Sequence, residues 1–113
     1  MIIKLKNKGK LIASSFAFKC SIGSGGLSRH KKEGDKCTPF GTFELGNLYW
    51  RPDRVRRPET LLKCTPITDD MKWCNDQSSM LYNREFKKKI KVRHEKLFRK
   101  DFKYNYFILI KYN

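Results

Sequence analysis

Four cysteines, Cys20, Cys37, Cys64 and Cys74, and two histidines, His30 and His94, are the side chains of this chain best suited to covalent or metal chemistry. A thiolate whose proton is taken by a histidine is a strong nucleophile, and backbone N–H groups beside it can stabilise the oxyanion of a tetrahedral intermediate. The spacing argues against most such uses. The gaps never produce Cys-x-x-Cys and only two histidines exist, so no metal site and no cofactor is expected. An even count allows two disulfides, but the chain is neither cysteine-dense nor led by a convincing export signal, so free thiols are the expectation. Each cysteine then reads as a small buried hydrophobe. A Cys37–His94 pair is the one catalytic arrangement left open, and His30 reads as a loop residue.

The elements that must position these residues belong to a chain of 113 residues with 39% hydrophobic and 13% aromatic side chains. That is one small domain or part of one, with enough apolar surface for a packed core. No run approaches the roughly 18 apolar residues of a membrane span, so no integral membrane segment is expected. Lys4 to Lys10 followed by Leu11 to Phe18 loosely imitates a signal peptide, yet the stretch is weakly hydrophobic and reads as part of the folded domain. The net charge of +15 raises nucleic acid as a partner. However, residues 1–56 carry 12 basic and 4 acidic groups and residues 57–113 carry 14 and 7, so the charge is spread rather than gathered. A solvated basic surface is preferred, and the nucleic-acid reading is disfavoured.

Along the chain, Met1 to Leu5 and Leu11 to Cys20 read as two strands joined by the turn Asn7-Lys8-Gly9-Lys10. Gly23-Ser24-Gly25-Gly26 is a permissive loop, Gly34 to Pro39 a second turn, and Phe40 to Leu45 a short strand. Tyr49 to Pro66, with Pro52, Pro58 and Pro66, reads as a long surface excursion. Ser78 to Lys89 is the helical candidate, with Ser78 at the cap. Lys87 to Lys103 holds nine basic residues against Glu95 and Asp101, a pattern that suits a solvated face with an apolar side turned inward. Tyr104 to Tyr112 alternates like a central strand buried on both faces.

Cys20-Ser-Ile-Gly-Ser-Gly-Gly-Leu27 and Lys32-Glu-Gly-Asp-Lys-Cys-Thr-Pro-Phe-Gly-Thr-Phe43 resemble the amino-terminal half of an L,D-transpeptidase catalytic domain of the YkuD type. The second block is the more telling. The resemblance continues through Tyr49-Trp-Arg-Pro-Asp-Arg54, Pro66-Ile-Thr68, Trp73-Cys-Asn-Asp76, Tyr82-Asn-Arg84 and His94-Glu-Lys-Leu-Phe-Arg99. It implies a mainly β fold with one or two short helices, a partial YkuD-like β-sandwich. It also implies cysteine acyl transfer on peptidoglycan stem peptides in bacterial cell-wall biogenesis, and a location in the cell envelope or periplasm that no clear signal peptide in the sequence supports.

One departure from the family pattern bears on activity. The family's histidine and its Ser or Thr, x, Gly, Cys segment lie carboxy-terminal to the strand that Tyr104 to Tyr112 resembles, and the cysteines here follow Lys19, Lys36, Lys63 and Trp73 rather than glycine. No catalytic residue is therefore assigned within residues 1–113, which are expected to be the amino-terminal part of a single domain, truncated and inactive as this chain. Trp73, Tyr82 and His94 are the candidate substrate-groove residues, with core or loop packing as the competing role. A non-catalytic peptidoglycan-binding module and a small basic RNA-binding protein are the alternatives. The resemblance further implies that residues 1–113 alone expose an unpaired strand edge and apolar surface.

Overall fold

A computed structural model describes residues 2–6 and 9–111. Parts of the expectations for Met1, Asn7, Lys8, Tyr112 and Asn113 lie outside the described residues. The chain divides into two compact units, Met1–Thr42 and Phe43–Asn113.

In the first unit, β1 (Ile3–Lys6), β2 (Lys10–Ala13) and β3 (Phe16–Lys19) form an antiparallel meander in sequence order. The expected first hairpin is present, with Lys6 opposite Lys10. The segment expected as one strand from Leu11 to Cys20 instead folds back on itself at Ser14 and Ser15, pairing Ala13 with Phe16. Ser14 takes a φ of 53°, the left-handed conformation that a two-residue hairpin demands. A two-residue parallel pair, β4 (Leu27–Ser28) with β5 (Thr38–Pro39), ties the glycine loop to the turn that follows it.

The second unit is built on β6 (Glu44–Trp50), which has β11 (Tyr106–Lys111) antiparallel on one side and β7 (Cys64–Pro66) parallel on the other. Consecutive residues Leu48 and Tyr49 point to opposite faces of β6, and both are buried. The central strand is thus β6, and the expectation for Tyr104 to Tyr112 is corrected. β11 lies at the sheet edge, with Phe107 and Leu109 half-buried and Tyr106, Ile108 and Ile110 exposed on its other face. Alternation of apolar residues could not show this, because both faces of β11 are apolar and only the neighbours decide which is covered.

Phe40 to Leu45 is not one strand either. Pairing with β4 ends at Pro39, Gly41 takes a φ of 150°, and the strand that matters begins at Glu44. The excursion read from Tyr49 to Pro66 is confined to residues 51–63, since both ends are strands. It has a topological task, because parallel neighbours need a crossover of about a dozen residues.

A second small sheet has the order β10 (His94–Lys96), β8 (Lys72–Cys74), β9 (Glu85–Phe86), antiparallel throughout. The expected helix over Ser78 to Lys89 does not form, and no helix occurs among the described residues. Ser78 binds the Asp76 carboxylate through both its N–H and its hydroxyl, closing a turn instead of capping a helix. Asn83 adopts a φ of 62°, and Glu85 and Phe86 pair with β8. Strand pairing and local turns therefore override a modest helical pattern.

The core of this unit gathers Tyr49, Ile67, Met71 and Leu97, with Trp73, Phe98, Tyr104 and Phe107 packed against it.

Candidate functional site

Within the first unit, the glycine loop and the Gly-Asp turn form a single clip. The Asp35 carboxylate accepts the backbone N–H groups of Lys32 at 2.7 Å and Cys37 at 2.8 Å, and pairs with the Lys31 ammonium at 3.2 Å. Those N–H bonds hold its carboxyl below the usual value. Gly25 donates its N–H to the Lys36 carbonyl, Thr38 donates its N–H to Gly26, and Gly23 donates to the Thr38 hydroxyl at 2.7 Å. At Gly23 a Cβ would lie 2.9 Å from the Cys37 Cα and would also meet the Lys36 carbonyl oxygen. Only glycine allows that approach. The motif is thus a backbone lock feeding β5, and Cys37 sits within it, its thiol directed to the carbonyls of Gly25 and Asp35 at 3.5 Å.

In the second unit, β8 and β10 carry two of the three candidate groove residues. Trp73 lies opposite Glu95, and His94 opposite Cys74. Because side chains alternate along a strand, Trp73 and His94 face opposite sides of this sheet. Trp73 turns toward the core, edge-on to Phe107 at 5.1 Å and to Tyr49 at 6.3 Å. Its indole N–H donates to the Asn83 side-chain carbonyl at 3.2 Å. Tyr82, half-buried, precedes Asn83 in the turn that holds this indole and donates its N–H to the Ser79 carbonyl.

His94 is exposed, stacked edge-on to the Phe86 ring at 5.8 Å. Its Nδ1 lies 2.8 Å from the Val92 carbonyl. A carbonyl can only accept, so Nδ1 donates and the neutral ring keeps its lone pair on Nε2. The structure therefore joins Trp73 to Asn83, the residue that follows Tyr82, and sets His94 on the other face of the sheet.

The side of the sheet shared by Trp73 holds charged groups that the sequence reading passed over. Glu85 accepts the Tyr49 hydroxyl at 2.9 Å. Burial pushes the Tyr49 phenol up, and the Glu85 carboxylate adds to that. Glu95 receives the Lys103 ammonium at 2.8 Å and the Arg99 guanidinium at 3.5 Å. Burial alone would raise its carboxyl, but hydrogen bonds from Lys103 and Tyr104 and the charges of Lys103 and Arg99 outweigh this and lower it. Tyr104 is raised by burial first and by Glu95 second.

Arg51 is a further buried cation, 3% exposed. It forms a fork on the Asp53 carboxylate, with both bonds at 2.8 Å, donates to the Arg99 carbonyl at 2.8 Å, and lies 3.6 Å above the Phe98 ring. The Arg-Pro-Asp spelling at 51–53 was the available signal, since an arginine and an aspartate two apart across a proline turn can close a bidentate pair.

Three of the four thiols, those of Cys37, Cys64 and Cys74, are directed to backbone carbonyls. Cys64 is directed to the Leu62 carbonyl and Cys74, 0% exposed, to the Asp76 carbonyl. Cys37 and His94 belong to different units, each engaged with nearby carbonyl oxygens. All four cysteines are free. Among the described residues no three His, Cys, Asp or Glu side chains are gathered as a metal would require. Among the described residues no helix is long and apolar enough to cross a membrane.

The family model of the L,D-transpeptidase catalytic domain, YkuD, matches residues 2–109. No curated protein and no solved structure is significantly similar to the chain.

Proposed function

This chain belongs to the L,D-transpeptidase catalytic-domain family, and from that premise we propose that it acts on peptidoglycan as a stem-peptide-recognising portion whose residues 1–113 do not themselves carry out acyl transfer. The observation that carries the reading is the state of the thiols. None follows a glycine, Cys74 is fully buried, and Cys37, Cys64 and Cys74 are directed to backbone carbonyls, which cannot take a thiol proton. Acyl transfer needs the opposite arrangement, a thiolate beside a base and oxyanion donors. The exposed His94 and the half-buried Tyr82 remain the residues proposed to meet the stem peptide, in a single domain whose histidine and Ser or Thr-x-Gly-Cys segment lies outside residues 1–113. Trp73, turned toward the core, holds through Asn83 the turn that carries Tyr82.

Disaccharide-tetrapeptide muropeptides incubated with residues 1–113 should release no D-alanine and form no cross-linked dimers, while pull-down on purified sacculi retains the chain. Release of D-alanine that is lost on Cys37→Ala would overturn the inactive reading. Absence of sacculus retention would overturn the recognition reading.

A further inference from the structure

The three-stranded meander of the first unit is two-sided. Its register places Ile3 opposite Ala13 and Leu5 opposite Leu11, and then Leu11 opposite Phe18 and Ala13 opposite Phe16. Paired residues share a face, so one side of the sheet consists of Ile3, Leu5, Leu11, Ala13, Phe16 and Phe18 without a polar group. Phe16 and Phe18 are stacked at 6.2 Å and remain 63% and 54% exposed. On the other side, Lys6, Lys10 and Lys19 form one row across all three strands, and Lys4, Ile12 and Ala17 form the next. All four lysines are exposed, and no carboxylate occurs in the sequence before Glu33.

Like charges set directly opposite each other weaken a sheet, and exposed phenylalanines gain nothing from water. An apolar partner covers the rings, and an anionic field within about a Debye length eases the repulsion among the lysines of the far face. We propose that this meander is an interfacial anchor that lies on an anionic lipid surface. Its Phe16 and Phe18 face settles at the boundary of headgroups and acyl chains, and its lysines remain on the water side.

The physics is that of an amphipathic helix at a membrane surface, with a lysine-rich polar face and Phe and Leu on the other, transferred to a sheet of period two. A single sheet is thin. Its two faces stand within about 10 Å of each other, close to the Debye length at physiological salt, so the lysines of the far face still feel the anionic surface. Lys4, Lys6 and Lys19 lie on edge strands, from which long side chains reach toward the headgroups. The stretch that imitates the basic and apolar parts of a signal peptide is this same sheet. Its basic-then-apolar order becomes two faces once the chain folds back at Ser14.

The test is sedimentation of the full 113-residue chain with vesicles, in the absence of peptidoglycan, so that the outcome is independent of stem-peptide recognition. Binding is expected to vesicles of phosphatidylglycerol mixed with phosphatidylcholine and to fall at least about tenfold on phosphatidylcholine alone. Phe16→Ser with Phe18→Ser should lower anionic-vesicle binding about tenfold or more. Lys4, Lys6, Lys10 and Lys19 changed together to Gln should do the same. Changing the exposed Lys88, Lys89, Lys91 and Lys96 of the second unit to Gln removes equal charge and should have a much smaller effect.

Equal losses from both lysine sets would reduce the result to net charge and overturn the proposal. So would binding to inorganic polyphosphate or RNA as tight as to vesicles and indifferent to the phenylalanine changes. A vesicle-free dimer abolished by Phe16→Ser would assign the apolar face to a second copy of the chain and would also overturn it. Far-ultraviolet circular dichroism checks that each variant folds, and the lysine set decides the matter where the phenylalanine pair does not.

Discussion

Replacing Arg51 by methionine separates the interactions that hold the 51–63 crossover to the segment around Arg99. Methionine keeps an unbranched, sizeable side chain over the Phe98 ring, so the cavity contribution is small. What is lost is the bond from the guanidinium to the Arg99 carbonyl at 2.8 Å, the cation 3.6 Å above Phe98, and the fork on Asp53. A hydrogen bond from a charged group contributes about 1.5–3 kcal/mol. The desolvated cation over the ring contributes about 2 kcal/mol, of which the methionine sulfur returns roughly half. The Asp53 side chain is 48% exposed and is rehydrated when its partner leaves, so the fork contributes least. The expected loss is about 3 kcal/mol, or near 12 °C in Tm for a chain of this size. Thermal and urea unfolding followed by circular dichroism measure it, with Asp53→Asn in parallel. Asp53→Asn should move the midpoint far less than Arg51→Met. If the two variants lose equal stability, the exposed ion pair dominates and the assignment to the Arg99 carbonyl and the Phe98 ring is wrong.

Gly23→Ala should destabilise by about 1–3 kcal/mol, because the added Cβ meets the backbone of Lys36 and Cys37, which cannot swing aside; unchanged urea midpoints would show that the clip does not carry the turn. In a native thiol-labelling time course, Cys20, Cys37 and Cys64 should react before Cys74, which is fully buried and should label only at the rate of unfolding. Acid should unfold the chain through its hydrogen-bonded carboxylates. The carboxyls of Asp35, Asp53, Asp76 and Asp101 are held below the ordinary 3.8 by hydrogen bonds, chiefly from the Lys32 N–H, the Arg51 guanidinium, the Ser78 hydroxyl and the Arg99 guanidinium respectively. Their contribution is complete above the unfolded value and is lost as pH falls through the lower folded values. Tm should therefore be flat above about pH 5 and drop below about pH 4; a Tm unchanged below about pH 4 would refute this reading.

What the sequence by itself determined is what depends on short range. The β character, the first hairpin, the glycine loop and the Gly-Asp-Lys-Cys-Thr-Pro turn follow from turn chemistry and alternation. The backbone contacts between the glycine loop and that turn admit few residues, glycine at position 23 among them. The cysteine predecessors, too, set out the catalytic question before any coordinates.

Tertiary structure decided matters of long range. Whether β11 or β6 is central could not be read from either strand, since β11 is apolar on both faces, β6 mixes Glu44 and Asn47 with its apolar residues, and coverage comes from residues distant in sequence. Ser78 to Lys89 carries a passable helical pattern, but the pairing of Glu85 and Phe86 with β8 fixes it as turn and strand. Trp73 and His94, one strand apart, were separated to opposite faces by a register that places His94 against Cys74. The lysines at 4, 6, 10 and 19 are scattered charges in the sequence, and only the pairing of β1 with β2 together with the fold at Ser14 aligns them on one face, because side chains alternate with period two and register chooses the partners.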